Sequence, residues 1–124
     1  MEYILGGGNL QILMEILNNY LIVTLKGELD HHTSEDVRKK IDQEYYDNNL
    51  LNMVLDLRGL NFMDSSGIGL IMGRYKNCKD IQGHMSIVST SSYLDRILRM
   101  SGLLNIINVY PTIEDAIEAQ GEGD

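Results

Sequence analysis

Two adjacent hydroxyls, Ser65 and Ser66, follow an acid, Asp64, and precede a glycine, Gly67. Aspartate and serine oxygens accept hydrogen bonds from the unpaired backbone N–H groups at the start of a helix, so these residue types read as a cap. A hydroxyl at that end sits in partial positive charge among free donors, a setting that suits an anion. Phosphorylation there would change the surface charge by roughly −1.5 to −2 without breaking the helix. The chemistry that fits is a protein-binding switch thrown at a serine of this turn.

Three other chemistries compete for the same residues. Ser65 as nucleophile, with His31 or His32 as base and Asp30 as orienting acid, would make a small serine hydrolase. The chain has no G-x-S-x-G elbow, and nothing in it marks an oxyanion hole. Asp30, His31 and His32 could ligate a metal, but adjacent side chains seldom converge on one ion and no third ligand cluster accompanies them. Gly67, Gly69 and Gly73 loosely imitate a dinucleotide fingerprint; their spacing is wrong and no acid ends the next strand. The sequence therefore calls for no cofactor. Each of these glycines costs up to ~1 kcal/mol in a helix relative to alanine. Such a cost points to close approach by another backbone, with internal packing expected at Gly69 and Gly73.

The elements that must hold this turn are legible from hydrophobic spacing. Residues 53–57 form an apolar run that reads as a buried strand, and Ile68, Ile71, Met72 and Tyr75 then recur at helical spacing. Upstream, Leu10, Ile12, Met14 and Ile16 alternate as a strand; Asn18 and Asn19 supply turn chemistry, and residues 20–26 form the second arm of a hairpin. Thr33 is the expected cap of a helix carrying Val37, Ile41 and Tyr45 inward to about Asp47. Residues 51–57 make a third strand, and residues 84–89 a fourth. Ser92, with Asp95 three residues on, is the expected cap of a third helix, residues 106–110 form a fifth strand, and Pro111 and Thr112 open a last helix.

The expected order is β-β-α-β-α-β-α-β-α: one α/β domain over residues 9–120, with a mixed five-strand sheet of N-terminal hairpin plus parallel strands and about four helices. Residues 1–8, ending in three glycines, are expected to fray or to join the first strand loosely, and residues 121–124 to form a disordered acidic tail. In such sheets sites gather where strands end; Asp30 and Ser65 both follow strands and are expected on that one edge.

Composition sets the outer bounds. The 124 residues fit one domain, and 44% hydrophobic residues suffice for a core. The formal net charge of −8 argues against a binder of nucleic-acid phosphates and fits a soluble protein whose partner offers a basic surface. Cys78 is the single cysteine, so no internal disulfide can form; it reads as a packing residue in a reducing, cytoplasmic setting. Met63, Met72 and Met100 are expected in the core. The N-terminal residues carry no secretory pattern, and no apolar run approaches the ~20 residues of a membrane helix.

The segments GELDHHTSE (residues 27–35) and FMDSSGIGLIMGRYK (residues 62–76), supported by RMSGLLNII (residues 99–107), resemble the bacterial anti-sigma factor antagonists, whose domain is called STAS. The likeness covers residues 10–119 and is greatest to the sporulation branch, which controls the first forespore sigma factor, sigma-F. It implies a small α/β domain that binds a dimeric, nucleotide-bound anti-sigma factor acting also as a serine kinase, and so frees a sigma factor. It implies phosphorylation of Ser65, release of the phosphoprotein, and resetting by a metal-dependent serine phosphatase. It places Asp30 and Asp64 beside the acceptor, and Ser66, Gly67 and Ile68 on the docking surface. It implies a regulator with no enzymatic activity of its own; the chain is expected to be a monomer, although its sequence leaves self-association open. A related module controlling a general stress-response sigma factor would use the same chemistry. Residues 1–8 have no counterpart in the resemblance.

Overall fold

Leu10, Ile12 and Met14 are sealed from solvent while Gln11 and Leu13 between them are half-buried, so strand β2 (Leu10–Leu17) has one dry face. β3 (Tyr20–Leu29) returns antiparallel, Leu17 pairing with Tyr20 across a turn in which Asn18 has φ 54°. The computed structural model describes residues 1–122. β4 (Asn52–Met63), β5 (Met85–Val88) and β6 (Val109–Tyr110) then line up in sequence, each parallel to the strand before it. The connections are α1 (Ser34–Asp47), α2 (Ser65–Asp80) and α3 (Ser92–Met100), and α4 (Ile113–Glu122) closes the order.

The main core lies on one face of the sheet. Val37, Ile41 and Tyr45 of α1, Leu70, Ile71 and Cys78 of α2, and Leu94 and Leu98 of α3 pack there against Leu21, Val23, Leu25, Met53 and Leu55. Cys78 is buried, as its helical position suggests. The other face carries a smaller cluster of Ile22, Val54 and Val88 under Ala116 of α4. β4 lies between β3 and β5 with apolar residues on both faces, which is why its sequence reads as a nearly unbroken hydrophobic run.

The sheet has six strands rather than the expected five. β1 (Glu2–Leu5) pairs antiparallel with β2, from Glu2 opposite Leu13 to Leu5 opposite Leu10. Tyr3 and Leu5 pack on the core, and the glycines that follow hid this short apolar face from a reading by composition. β4 also continues past residue 57 to Met63, because its second half pairs with Lys26, Gly27, Glu28 and Leu29 across two register shifts.

Smaller expectations shift as well. Ser91, not Ser92, caps α3, its hydroxyl accepting from the Leu94 N–H at 3.2 Å. Met63 is buried, whereas Met72 and Met100 are exposed rather than in the core. α4 takes in Gly121 and Glu122, the first half of the expected tail; residues 123 and 124 lie outside the described residues.

Candidate functional site

Leu29 and Met63 are the paired last residues of parallel strands β3 and β4. The chain leaving β3 at Asp30 and the chain leaving β4 at Asp64 must therefore emerge side by side. One backbone bond ties them directly, Asp64 N–H donating to Leu29 O at 3.3 Å. A second crosses between the loops, the His31 N–H donating to Asp64 Oδ2 at 3.2 Å.

Asp64 caps α2. Its Oδ1 accepts the Ser66 N–H at 2.9 Å and also the Ser66 hydroxyl. These bonds favour the charged carboxylate. The Ser66 hydroxyl is the largest influence holding the Asp64 carboxyl below its ordinary value, partial burial opposes it, and the N–H groups of Ser66, His31 and Gly67 add to the lowering.

Ser66 is consequently committed inward, and its Oγ lies 2.9 Å from Ser34 Oγ in the first turn of α1. Ser34 Oγ also lies 2.6 Å from Asp30 O, and the two hydroxyl protons serve two of the three contacts Asp30–Ser34, Ser34–Ser66 and Ser66–Asp64 at a time. Ser65, the first residue of α2, is exposed, and no described side chain takes its hydroxyl. Gly67 is buried because a Cβ there would meet Met63 Sδ at 2.8 Å and Leu29 Cδ2 at 3.2 Å. Ile68 is half-buried against the main core.

The Asp30 loop is built around its own cap. Asp30 Oδ1 accepts the N–H groups of His32 (2.9 Å) and Thr33 (3.2 Å). Thr33 occupies the cap position of α1, but its side chain bonds no helix N–H. Instead Thr33 Oγ1 accepts from Asp30 N and donates to Asp30 O, both at 3.2 Å, which corrects the expected role. The hydrolase arrangement is not assembled: Asp30 faces backbone N–H groups, and His31 Nδ1 lies 3.8 Å from Asp64 Oδ2. The exposed rings of His31 and His32 lie against each other at a tilt of 38°, centroids 3.9 Å apart. Among the described residues no three His, Cys, Asp or Glu side chains gather as a metal site.

An open groove of about 400 Å³ runs from this turn between α1 and α2, with Ser34, Arg38, Ser66, Gly69, Gly73 and Arg74 among its walls. A Cβ at Gly69 or Gly73 would meet nothing within 4 Å, so these glycines face open space and not the interior packing expected of them. Arg74 is buried beneath the groove, its Nε 2.9 Å from Asp42 Oδ1 as an ion pair. Its Nη1 donates to Leu70 O at 3.4 Å. Ser34 and Arg74 escaped the sequence reading. Ser34 had one available signal, its place four residues after Asp30 at a helix start; Arg74 had none, because its burial comes from α1 across the groove.

The family model described as STAS domain matches residues 11–116. An anti-sigma F factor antagonist of Paenibacillus polymyxa is 44% identical over 109 residues, 88% of this chain and 93% of that protein. One from Lysinibacillus sphaericus is 34% identical over 100 residues, 81% of this chain and 80% of that protein. The unphosphorylated form of the anti-sigma factor antagonist SpoIIAA superposes with a TM-score of 0.77 at 29% identity, covering 87% of this chain and 94% of that one. Its phosphorylated form, from Bacillus, gives 0.70 at 29% identity over 87% of this chain and 97% of that one. Among the described residues no helix is long and apolar enough to cross a membrane.

Proposed function

This chain belongs to the STAS family of bacterial anti-sigma factor antagonists, regulators rather than enzymes, and from that premise we propose that it is a cytoplasmic switch thrown by phosphorylation of Ser65. It binds an anti-sigma factor that is also an ATP-dependent serine kinase, and so releases a sporulation sigma factor. A metal-dependent serine phosphatase restores the binding form. Asp30, Asp64, Ser66, Gly67 and Ile68 shape the docking surface around the acceptor.

The observation that carries this reading is the asymmetry of the two serines. Ser66 is consumed by Asp64 and Ser34, while Ser65 is exposed at the positive end of a sixteen-residue helix. A kinase has one hydroxyl to take at this turn. The relatives that are 44% and 34% identical are both antagonists of an anti-sigma F factor, which favours the sporulation branch over a stress-response one.

A phosphate on Ser65 stands next to the ionised Asp64, so a partner surface pressed on that turn must desolvate two negative groups. A loss of about 3 kcal/mol in binding lowers affinity by over a hundredfold. Mixing the purified protein with the anti-sigma F factor of Paenibacillus polymyxa and ATP tests this. Phosphate should appear on Ser65, Ser65→Ala should bind without being modified, and Ser65→Asp should bind more weakly. Phosphopeptides carrying the group on Ser66 or Ser92 would sink the assignment.

A further inference from the structure

The glycine turn between β1 and β2 lies outside every role described so far, yet it touches the site. Residues 6–8 all have positive φ, 61°, 70° and 100°. A Cβ on Gly7 or Gly8 would meet nothing within 4 Å. A Cβ on Gly6 would lie 2.7 Å from Thr33 Cγ2. Thr33 is 2% exposed and cannot step aside freely, because its Oγ1 is bonded to both Asp30 N and Asp30 O. A β-branched side chain is also stiff at χ1.

From Thr33 the contacts continue without a gap. Ser34 Oγ lies 2.6 Å from Asp30 O and 2.9 Å from Ser66 Oγ, and Ser66 Oγ lies against the carboxylate of Asp64, the residue before Ser65. We propose that Gly6 is a positioning residue for the switch: its missing Cβ sets the seat of Thr33, and through Asp30, Ser34 and Ser66 it sets how the Asp64–Ser65 turn is presented. The presentation of Ser65 to a kinase rests on the function proposed above; the mechanical link from Gly6 to Asp64 does not.

The link predicts a specific pattern of rescue. Gly6→Ala and Gly7→Ala carry a similar backbone penalty for a side chain at positive φ, but only the first collides with Thr33. Thr33→Ser keeps the hydroxyl that holds Asp30 and removes the methyl group that Gly6→Ala would strike. Amide hydrogen exchange and backbone NMR shifts of His31 and Ser66, both bonded to Asp64, read the turn directly.

Gly6→Ala should shift both amides and speed their exchange roughly tenfold, a local opening with the rest of the domain intact. Gly7→Ala should leave them as in the wild type, and Gly6→Ala with Thr33→Ser should bring them back. Equal effects of the two alanines, an effect stopping at Thr33, or failure of serine at residue 33 to rescue would each overturn the proposal. The rate of Ser65 phosphorylation by the Paenibacillus polymyxa anti-sigma F factor, measured on the same variants, should follow the amides. If the wild type is not phosphorylated at all, the switch reading fails while the exchange data still decide the link.

Discussion

Ser34 Oγ and Ser66 Oγ lie 2.9 Å apart, joining the first turn of α1 to the first turn of α2. The two hydroxyls come from strands that end side by side, and each has a second partner, Asp30 O for one and the Asp64 carboxylate for the other. Strand pairing sets the spacing of the two helix starts; the serines convert that spacing into a bonded unit.

The bond should therefore register as coupling between the two residues. Ser34→Ala and Ser66→Ala are each expected to cost about 1 kcal/mol, the usual worth of a part-buried hydrogen bond. The double variant should lose less than the sum by roughly 0.5 kcal/mol or more, since the bond the two hydroxyls share can be lost only once. Urea unfolding of the four proteins of the cycle measures this, and strict additivity would show that the two hydroxyls do not interact.

Asp64 gives the turn a pH dependence of known sign. Its carboxyl is held below the ordinary value of 3.8, so the folded protein favours the charged form more than the unfolded chain does. The resulting stability is fully present above the unfolded value and is lost as pH falls through the lower, folded one. Asp64→Asn keeps one oxygen to cap the Ser66 N–H, but puts an amide donor where Oδ2 accepts the His31 N–H, so it removes the charge and that one bond. At pH 7 the variant should lose about 0.3–1 kcal/mol for the charge at the helix N-terminus, and about 1 kcal/mol more for the His31 bond. The charge part of that gap should close once acid has protonated Asp64 in the wild type. Thermal unfolding of both proteins from about pH 7 to about pH 2 tests it, and a gap that persists undiminished in acid would point to lost bond geometry instead of lost charge.

The turn itself was readable because its chemistry is local. Asp64, Ser65 and Ser66 announce a cap by residue type, and the apolar runs on either side say which element ends and which begins. That Asp30 lies beside it followed from strand ends sharing an edge in a parallel sheet. What escaped depended on partners far away in sequence. Ser34 matters because Ser66 stands opposite it, Arg74 is buried because α1 covers it, and β1 forms because Tyr3 and Leu5 find a core that residues 1–8 do not themselves contain. Gly69 and Gly73 show the same limit in reverse. Their cost to the helix was visible in the sequence, but whether the space above them was filled depended on where α1 lay.

Those glycines allow one last test, because Gly67 and Gly69 sit two residues apart on α2 in opposite surroundings. A Cβ at residue 67 would strike the Met63 side chain and press on Leu29, both buried. Gly67→Ala should destabilise by about 1–3 kcal/mol as an overpacked site, partly offset by alanine's better helix propensity. A Cβ at residue 69 would meet nothing within 4 Å, and the backbone there is ordinary helix, so Gly69→Ala should stabilise by about 0.4–1 kcal/mol. If the α1–α2 groove receives part of the anti-sigma factor, Gly69→Ala should melt at a higher temperature yet bind the Paenibacillus polymyxa anti-sigma F factor more weakly. Calorimetry on one preparation reads both quantities. A stabilised variant with unchanged affinity would place the partner's contacts wholly on the Asp30–Ser65 rim and leave the groove outside the interface.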